Sequence, residues 1–301
     1  MATIALKVDV DTLRGTREGV PRLLDIFARH HADASFLFSL GPDHTGWALR
    51  RVFRPGFLSK VSRTSVLKHY GWRTLMYGVL LPAPDIGRLA ADSMRAAARA
   101  GHECGIHTWD HVVWQDHVRN ADPAWTRASM GRAYERFVDI FGKPPSTHGA
   151  AGWQMNAEAF RQIDDWGMAY ASDGRGASPH RLRVEGQVLR HVQLPTSLPT
   201  MDELIGNPGI DERNVYRALL ELTEPDQNQV YTLHAELEGG LLAPAFEALL
   251  AGWAAQGHQL VAMAAQFEQI GAAESTLLPA LPLCWGSMPG RSGELIVASA
   301  P

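Results

Sequence analysis

The sequence predicts an α/β fold in which strands and helices alternate. Short apolar, β-branched runs alternate with segments whose apolar residues recur at helical spacing, along most of the 301 residues. This order is typical of parallel βα units, in which functional groups gather at the carboxyl ends of the strands. Polar residues that directly follow a predicted strand are therefore the first candidates for a functional site.

Local patterns predict the individual elements. Strands are predicted where apolar or alternating runs end at polar residues or glycine, and they cover residues 4–10, 34–40, 102–106, 168–172, 188–194, 230–234 and 258–263. Helices are predicted where apolar residues recur at helical spacing between capping residues, and they include residues 20–27, 85–100, 134–141, 158–166 and 244–256. Residues 272–301, rich in Gly, Pro, Ser and Ala, are predicted to form an irregular tail after a domain of residues 1–271.

The composition argues against several classes of protein. A net charge of −4 gives no general reason to expect a nucleic acid partner. Two cysteines, Cys104 and Cys284, are too few for a disulfide framework, and Cys104 is expected to be a buried structural thiol. No secretory leader is recognisable and no apolar run approaches the ~20 residues that span a bilayer, so we expect a cytoplasmic protein.

Two histidines and two aspartates follow predicted strands and suit a metal site. His107 and His111 are four residues apart, a spacing that places both imidazoles on one face of a helical turn. Asp9 and Asp11 alternate at the end of the first strand, so their side chains point to the same side. One aspartate can complete a metal site with the two histidines, while the other stays free to act as a base toward water.

These motifs resemble those of the NodB-homology polysaccharide deacetylases, which form carbohydrate esterase family 4. The resemblance runs from about residue 4 to residue 270, and it implies a distorted, incomplete (β/α) barrel and a metal-dependent hydrolase of a linear amide bond. It also implies that Asp9 is the general base and that Asp11, His107 and His111 bind a divalent metal. Two histidines and a carboxylate suit Zn²⁺ best, and Co²⁺, Ni²⁺ and Mn²⁺ are also compatible.

The resemblance assigns the remaining catalytic roles as well. The later family motif corresponds to residues 231–234, which makes His234 the general acid, and Asp173 takes the position of the aspartate that orients this acid. A histidine that merely ends a strand with a single backbone hydrogen bond is the alternative for His234. Glu236 and Glu238 follow it directly, and either could bind polar groups of the substrate or lie in solvent.

The third family motif departs from the usual pattern. It normally contains an arginine that pairs with the catalytic aspartate, but residues 147–153 contain none. Their small side chains suit a backbone N–H donor near Ala150 for an oxyanion, and Trp153 could pack against a sugar or in the core. The missing guanidinium could come from elsewhere in the chain, where the candidates are Arg14, Arg17 and Arg175; the same arginines could bind substrate groups.

Further segments resemble one subgroup of the family, the deformylases of 4-deoxy-4-formamido-L-arabinose-phosphoundecaprenol. They are residues 9–21, 107–111, 150–153, 172–177, 198–203 and 234–239. This resemblance implies a substrate of formamido-arabinose linked to undecaprenyl phosphate, formate as a product, and a role in lipid A modification and in resistance to cationic peptides such as polymyxin. An N-deacetylase of polysaccharides or chitooligosaccharides is one alternative, and a membrane-associated binding protein with a structural metal is another.

Residues 44–84 form an unusual insertion that is rich in basic and aromatic side chains. The segment contains no Asp or Glu, and its cations are Arg50, Arg51, Arg54, Lys60, Arg63, Lys68 and Arg73. Basic residues interleaved with aromatic ones are typical of an element that lies on an anionic membrane surface. Binding of single-stranded nucleic acid and simple packing on the barrel are the alternatives. We expect peripheral attachment to the cytoplasmic face of the bacterial inner membrane.

Overall fold

The structure, a computed structural model, describes residues 1–48, 71–291 and 293–298. Its strands are β1 (Thr3–Val10), β2 (Ser35–Ser39), β3 (Glu103–Thr108), β4 (Tyr170–Ala171), β5 (His180–Val184), β6 (Gln187–Gln193), β7 (Gln229–His234), β8 (Gln259–Val261), β9 (Ala280–Pro282), β10 (Cys284–Ser287) and β11 (Glu294–Val297). Its α-helices are α1 (Val20–His30), α2 (Ile86–Leu89), α3 (Ala91–Arg99), α4 (His111–His117), α5 (Pro123–Phe141), α6 (Ala157–Asp165), α7 (Met201–Leu204), α8 (Val215–Leu222), α9 (Ala243–Ala255), α10 (Met263–Ile270) and α11 (Ala272–Ser275). Short helical turns occupy Gly15–Gly19, Thr74–Met76, Val118–Asn120, Ala151–Trp153 and Leu237–Leu241.

A parallel sheet lies at the centre of the fold. Its strand order is β3-β2-β1-β7, and β8 pairs with the beginning of β1. Every residue of β1 is buried, as expected for a central strand that is covered on both faces. A second sheet, β4-β6-β5-β9, includes the antiparallel pair β5-β6. The α/β class is therefore confirmed, and the open, mixed sheets form a distorted, incomplete barrel as predicted.

The helices cover the central sheet through apolar faces at helical spacing. In α1, the residues Val20, Leu23, Ile26 and Phe27 are buried, and Pro21 stands in the first turn, where its missing N–H is tolerated. The Phe27 ring meets the Phe36 ring of β2 edge to face, with centroids 5.9 Å apart. Burial of a side chain of this size contributes about 1.5–3 kcal/mol, so helices of this kind fix the positions of the strand ends.

Three predicted elements differ from the structure. The helix predicted over residues 85–100 is divided at Ala90, whose φ of −134° breaks it into α2 and α3, although Asp85 caps its beginning as expected. His107 lies inside β3 and not on a helical turn, and only His111 belongs to a helix. The tail predicted to be irregular contains α11 and the strands β9 to β11, because it pairs with β5 and forms its own hairpin.

The predicted membrane-contact insertion falls largely outside the described residues. Of residues 44–84, the structure describes 44–48 and 71–84, so Arg73 alone represents the seven cations of the insertion. None of the helices in the described ranges combines the length and the apolar character that a bilayer span requires.

Candidate metal centre and its surroundings

The carboxyl ends of β1 and β3, which both pair with β2, bring the predicted metal ligands together. Asp9 and Asp11 stand at and just beyond the end of β1, and His107 is the penultimate residue of β3. His111 begins α4, where the Asp110 side chain accepts a hydrogen bond from the backbone N–H of Val113 and so caps the helix. The two histidines therefore converge because a strand turns sharply into a capped helix, and not because they share a helical face.

Asp11, His107 and His111 form a cluster that can hold one metal ion. One ligand atom from each of them lies within 4.8 Å of the other two. Nε2 of His107 is 3.2 Å from Oδ1 of Asp11, and Nε2 of His111 is 3.4 Å from Oδ2. The Nδ1–H of His107 donates to the carbonyl oxygen of Gly149 over 2.6 Å, a bond that leaves Nε2 as the nitrogen facing the cluster.

The electrostatics of this cluster suit a cation. Burial by itself would raise the pKa of Asp11, but His111 and His107 outweigh it and hold that pKa well below its usual value. Burial would lower the pKa of His107, yet Asp9 and Asp11 raise it. Oδ1 of Asp11 is buried and has no hydrogen-bond partner among the described residues. A divalent metal bound by two neutral imidazoles and a carboxylate would satisfy all three groups.

The predicted general base, Asp9, is paired with a lysine that the sequence analysis did not identify. Nζ of Lys7 lies 3.1 Å from Oδ2 of Asp9, and both side chains are buried. The other carboxylate oxygen, Oδ1, has no hydrogen-bond partner in the described part of the chain and lies 3.7 Å from Nδ1 of His107. Lys7, Asp9 and Asp11 alternate along β1, and a lone lysine within an apolar strand was the available signal.

None of the three arginines proposed as the partner of Asp9 takes that position. Arg14 forms an ion pair with Glu18 over 2.9 Å, and Arg17 donates two hydrogen bonds to the carbonyl oxygen of Leu89. Arg175 is buried against Glu203, with 2.6 Å between Nη1 and Oε1. The expectation that one of them replaces the missing arginine is wrong, because Lys7 already occupies the space beside Asp9.

The predicted general acid, His234, ends β7 beside Asp9 of β1. The two residues are direct neighbours in the pairing of β1 with β7. The backbone N–H of His234 donates to Oε2 of Glu238 over 2.9 Å, and its side-chain Nδ1 is buried without a hydrogen-bond partner among the described residues. Burial raises the pKa of Glu238 to about 7, although the nearby His234 acts in the opposite direction. Glu238 is therefore a buried neighbour of His234 and not a solvated loop residue.

Asp173 does not contact His234, and this part of the prediction is wrong. Oδ1 of Asp173 bonds to Nδ1 of His148 over 2.6 Å, and Oδ2 accepts a hydrogen bond from the Gln193 side chain over 2.9 Å. Burial would raise the pKa of Asp173, but His148 outweighs it and lowers the pKa. The carboxylate is thus fully engaged in a buried polar cluster that joins residue 148 of the third motif to β6.

The third motif forms a wall of the site. Ala150 is fully buried, and its backbone N–H donates to no acceptor in the described residues, which leaves it available for an oxyanion. Trp153 is only 2% exposed, and its Nε1–H donates to Oγ1 of Thr196 over 3.0 Å. Trp153 therefore has no accessible face for a sugar. Instead, its ring is approached by cations from several elements: Lys7, Arg175 and Arg291.

Glu236 supports the end of β1, next to Asp11. Its Oε1 accepts hydrogen bonds from the backbone N–H of Asp11 over 3.0 Å and from both the N–H and the hydroxyl of Thr12 over 2.7 Å. Gly15 leaves room for this carboxyl group, since a Cβ there would lie 2.0 Å from Oε1. Burial and then Asp11 raise the pKa of Glu236 well above its usual value. Glu236 is therefore a buried structural group and not an exposed substrate contact.

Comparisons with known proteins identify related chains. A family model described as polysaccharide deacetylase matches residues 2–171. The chain is 41% identical over 247 residues to a protein of Shewanella sediminis named as the 4-deoxy-4-formamido-L-arabinose-phosphoundecaprenol deformylase ArnD, covering 82% of this chain and 80% of that protein. It is 30% identical over 239 residues to a protein of Wigglesworthia glossinidia brevipalpis with the same name, covering 78% and 82%.

Solved structures share the fold at low sequence identity. A crystal structure described as a polysaccharide deacetylase from Mycobacterium smegmatis superposes with a TM-score of 0.61 at 18% identity, covering 96% of both chains. The match to the family model extends over more than half of the chain and includes Asp9 and all three residues of the metal cluster, Asp11, His107 and His111. Together with the relatives, it shows that the chain belongs to the polysaccharide deacetylase family of hydrolases.

Proposed function

We propose that the chain is a metal-dependent deformylase that acts on 4-deoxy-4-formamido-L-arabinose-phosphoundecaprenol and releases formate and the 4-amino sugar lipid. The observation that carries the reaction type is the cluster of Asp11 and His107, both buried, with the partly exposed His111 and with the separate carboxylate of Asp9 beside it. Support for the substrate comes from two relatives named for it, of which the chain covers 80% and 82%. Loss of the formyl group exposes an amine for lipid A modification, which reduces negative charge and so favours polymyxin resistance.

A divalent metal, Zn²⁺ in this proposal, would be held by Asp11, His107 and His111, and when bound it would polarise the formyl oxygen and make water more acidic. The chain's own residues then move the protons. Oδ1 of Asp9 takes a proton from the attacking water while Lys7 holds Oδ2. The backbone N–H of Ala150 donates to the oxygen that gains negative charge.

His234 completes the reaction by giving a proton to the departing nitrogen, because an amide nitrogen is a poor leaving group without one. His234 is the direct neighbour of Asp9 in the pairing of β1 with β7, which supports a role for both residues at the same strand ends. Glu238 accepts a hydrogen bond from the backbone N–H of His234 and so holds the end of β7 in place.

The direct test is incubation of the Zn²⁺-loaded protein with the formamido-arabinose lipid, with formate measured as the product. A matched substrate that carries an acetyl group in place of the formyl group tests the N-deacetylase alternative through acetate release. We expect formate from the first substrate and little acetate from the second. Absence of formate would contradict the proposal, and equal activity after metal removal would assign the metal a structural role only.

We also propose that the protein attaches peripherally to the anionic cytoplasmic face of the inner membrane through residues 44–84. Support comes from the seven cations of the segment and from its exposed apolar side chains, which include Trp72 and Leu80. A lipid-linked substrate requires the site to reach the headgroup region, where each basic residue contributes about 1 kcal/mol. Sedimentation with vesicles of anionic lipid tests this attachment.

A further inference from the structure

Exposed apolar side chains concentrate at one end of the described molecule. Eight large apolar residues are exposed among the described residues. Five of them follow the carboxyl end of β2 or of β7, either in loops and turns or in the short helix α2. These five are Trp72, Val79, Leu80, Leu89 and Leu241. Single exposed leucines are ordinary on protein surfaces, but a concentration at the end that carries the metal cluster is not.

Two of these leucines lie outside the insertion, and each accompanies an arginine. Arg17, in the turn after β1, donates from Nη2 and Nε to the carbonyl oxygen of Leu89, over 2.7 and 3.2 Å. The side chain of Leu89 remains 49% exposed. In the described part of the chain Arg17 forms no ion pair with a carboxylate, so its charge is uncompensated there.

The same combination recurs beside β7. Arg22, in the first turn of α1, donates from Nη1 to the carbonyl oxygen of Gly240 over 2.9 Å. The next residue, Leu241, is 50% exposed. Arg22 likewise forms no ion pair within the described ranges, and its guanidinium is held by a backbone carbonyl that carries no net charge.

At both places a backbone carbonyl holds a guanidinium that has no carboxylate partner among the described residues, and an exposed leucine lies next to that carbonyl or carries it. These two kinds of group are suited to contact with a lipid surface. The guanidinium binds anionic headgroups, and the leucine enters the boundary between headgroups and acyl chains. We propose that Arg17, Leu89, Arg22 and Leu241, named here the β1–β7 rim, form a contact with an anionic bilayer that is separate from residues 44–84. This inference rests on the proposed function, in which a lipid-linked substrate brings the metal site to the membrane.

Vesicle binding tests the β1–β7 rim. The full-length, metal-loaded protein is sedimented with vesicles of phosphatidylglycerol and phosphatidylcholine, and with vesicles of phosphatidylcholine alone. The double variant Leu89→Asp and Leu241→Asp is compared with Leu222→Asp, whose leucine is equally exposed at 50%. Leu222 is the last residue of α8, which precedes β7. It therefore lies toward the amino end of β7, whereas the β1–β7 rim lies at the carboxyl end. We expect the double variant to bind anionic vesicles at least about tenfold more weakly than the native chain, and Leu222→Asp to bind like the native chain.

Two results would overturn the inference. Equal vesicle binding by the native chain and the double variant would remove the β1–β7 rim from the membrane contact. A native chain that self-associates through these leucines, with loss of the association in the double variant and no change in vesicle binding, would identify a protein interface in its place. Formate release from a short-chain, water-soluble form of the substrate separates the two proposals. A native chain without that activity contradicts the proposed function, whatever the vesicles show.

Discussion

The ammonium group of Lys7 lies 3.1 Å from the carboxylate of Asp9, and both groups are buried two residues apart on one strand. In the proposed mechanism this carboxylate accepts a proton, and Lys7 is the partner that fixes its orientation. Gly149 makes this arrangement possible, because a Cβ at that position would lie 2.7 Å from Cε of Lys7. The missing side chain at Gly149 therefore leaves room both for Lys7 and for Leu37, whose Cδ1 would lie 2.2 Å from such a Cβ.

Replacement of Lys7 is expected to impair proton transfer to Asp9 without loss of the metal. In Lys7→Met we expect kcat to fall about 10²-fold or more, because the carboxylate of Asp9 loses its orienting partner. Removal of one member of a buried pair should also lower the free energy of unfolding by about 3 kcal/mol. Lys7→Arg keeps the charge and should recover part of kcat. The measurements are steady-state kinetics, metal content and chemical denaturation.

Arg29→Met is the matched control, because Arg29 pairs with Glu247 on the surface and is 54% exposed at its side chain. It removes one cation without a contact to the site and should change neither kcat nor metal content. A Lys7→Met protein with native kcat would refute an orienting role for the lysine.

The metal ligands and the general acid should respond differently to substitution. His107→Ala should lose both metal and turnover, since Nε2 of His107 faces the cluster and Nδ1 is held by Gly149. His234→Ala should keep the metal and lose turnover by about 10²-fold or more. Elemental analysis of the purified variants, together with formate release, checks both. Retained metal in His107→Ala would contradict the assignment of the cluster.

Asp173→Asn is expected to affect stability more than chemistry. Its two oxygens bond to His148 and Gln193, so the substitution weakens a buried polar cluster and should lower the free energy of unfolding by about 2 kcal/mol. The loss of turnover should stay well below the roughly 10²-fold that follows from losing a general acid. Denaturation and kinetics on the same preparation provide the comparison. A loss of turnover as large as that of His234→Ala would instead indicate that Asp173 acts together with His234.

The raised pKa of Glu238 predicts a pH-dependent stability. Burial raises this pKa from 4.5 to about 7, so between these values the folded chain binds a proton that the unfolded chain releases. The resulting stabilisation is complete below pH 4.5 and is lost as the pH rises through 7. The interval corresponds to roughly 3 kcal/mol. Glu238→Gln should lack this part of the dependence in denaturation curves measured from pH 4.5 to 8, and identical pH profiles for both proteins would contradict the prediction.

Removal of the C-terminal strands is expected to destabilise the wall of the site. Nε of Arg291 lies 2.6 Å from Oε1 of Glu203, and its guanidinium lies 4.7 Å from the ring centre of Trp153. Arg291→Met should lower the free energy of unfolding by about 2 kcal/mol, and truncation after residue 271 should lower it further because β9 is lost as well. Denaturation measures both, with Arg29→Met as the control. An unchanged unfolding curve after truncation would contradict the prediction.

Much of the fold and of the metal cluster could be predicted because the signals were local. The strand β1 is an apolar run with Asp9 and Asp11 at its carboxyl end. Because β1 pairs with β2 and β2 pairs with β3, all in parallel, His107 of β3 comes to the same end of the sheet. The short strands β9 to β11 were not predicted because they form only through pairing with β5 and with each other. The local sequence, which is rich in Gly and Pro, does not indicate this pairing.

The partners of the site residues were less predictable because they depend on distant contacts. Asp173 follows β4 as expected, but its engagement with His148 depends on how the third motif lies against β3. Glu236 and Glu238 were expected either to bind polar groups of the substrate or to lie in solvent, yet both are buried and accept hydrogen bonds from the strand ends. Lys7 could have been identified from strand periodicity alone, since it shares a face with both aspartates.

The location of Lys7 on the same strand as Asp9 also has a consequence for how the pair forms. When the counter-charge of a catalytic carboxylate comes from a distant loop, the pair forms only after the loop has docked. Here the base and its counter-charge are part of one central strand, and they come together as soon as that strand is extended and covered. The third motif is thereby released from supplying a charge, and its contribution to this pair is the space that Gly149 leaves for Lys7.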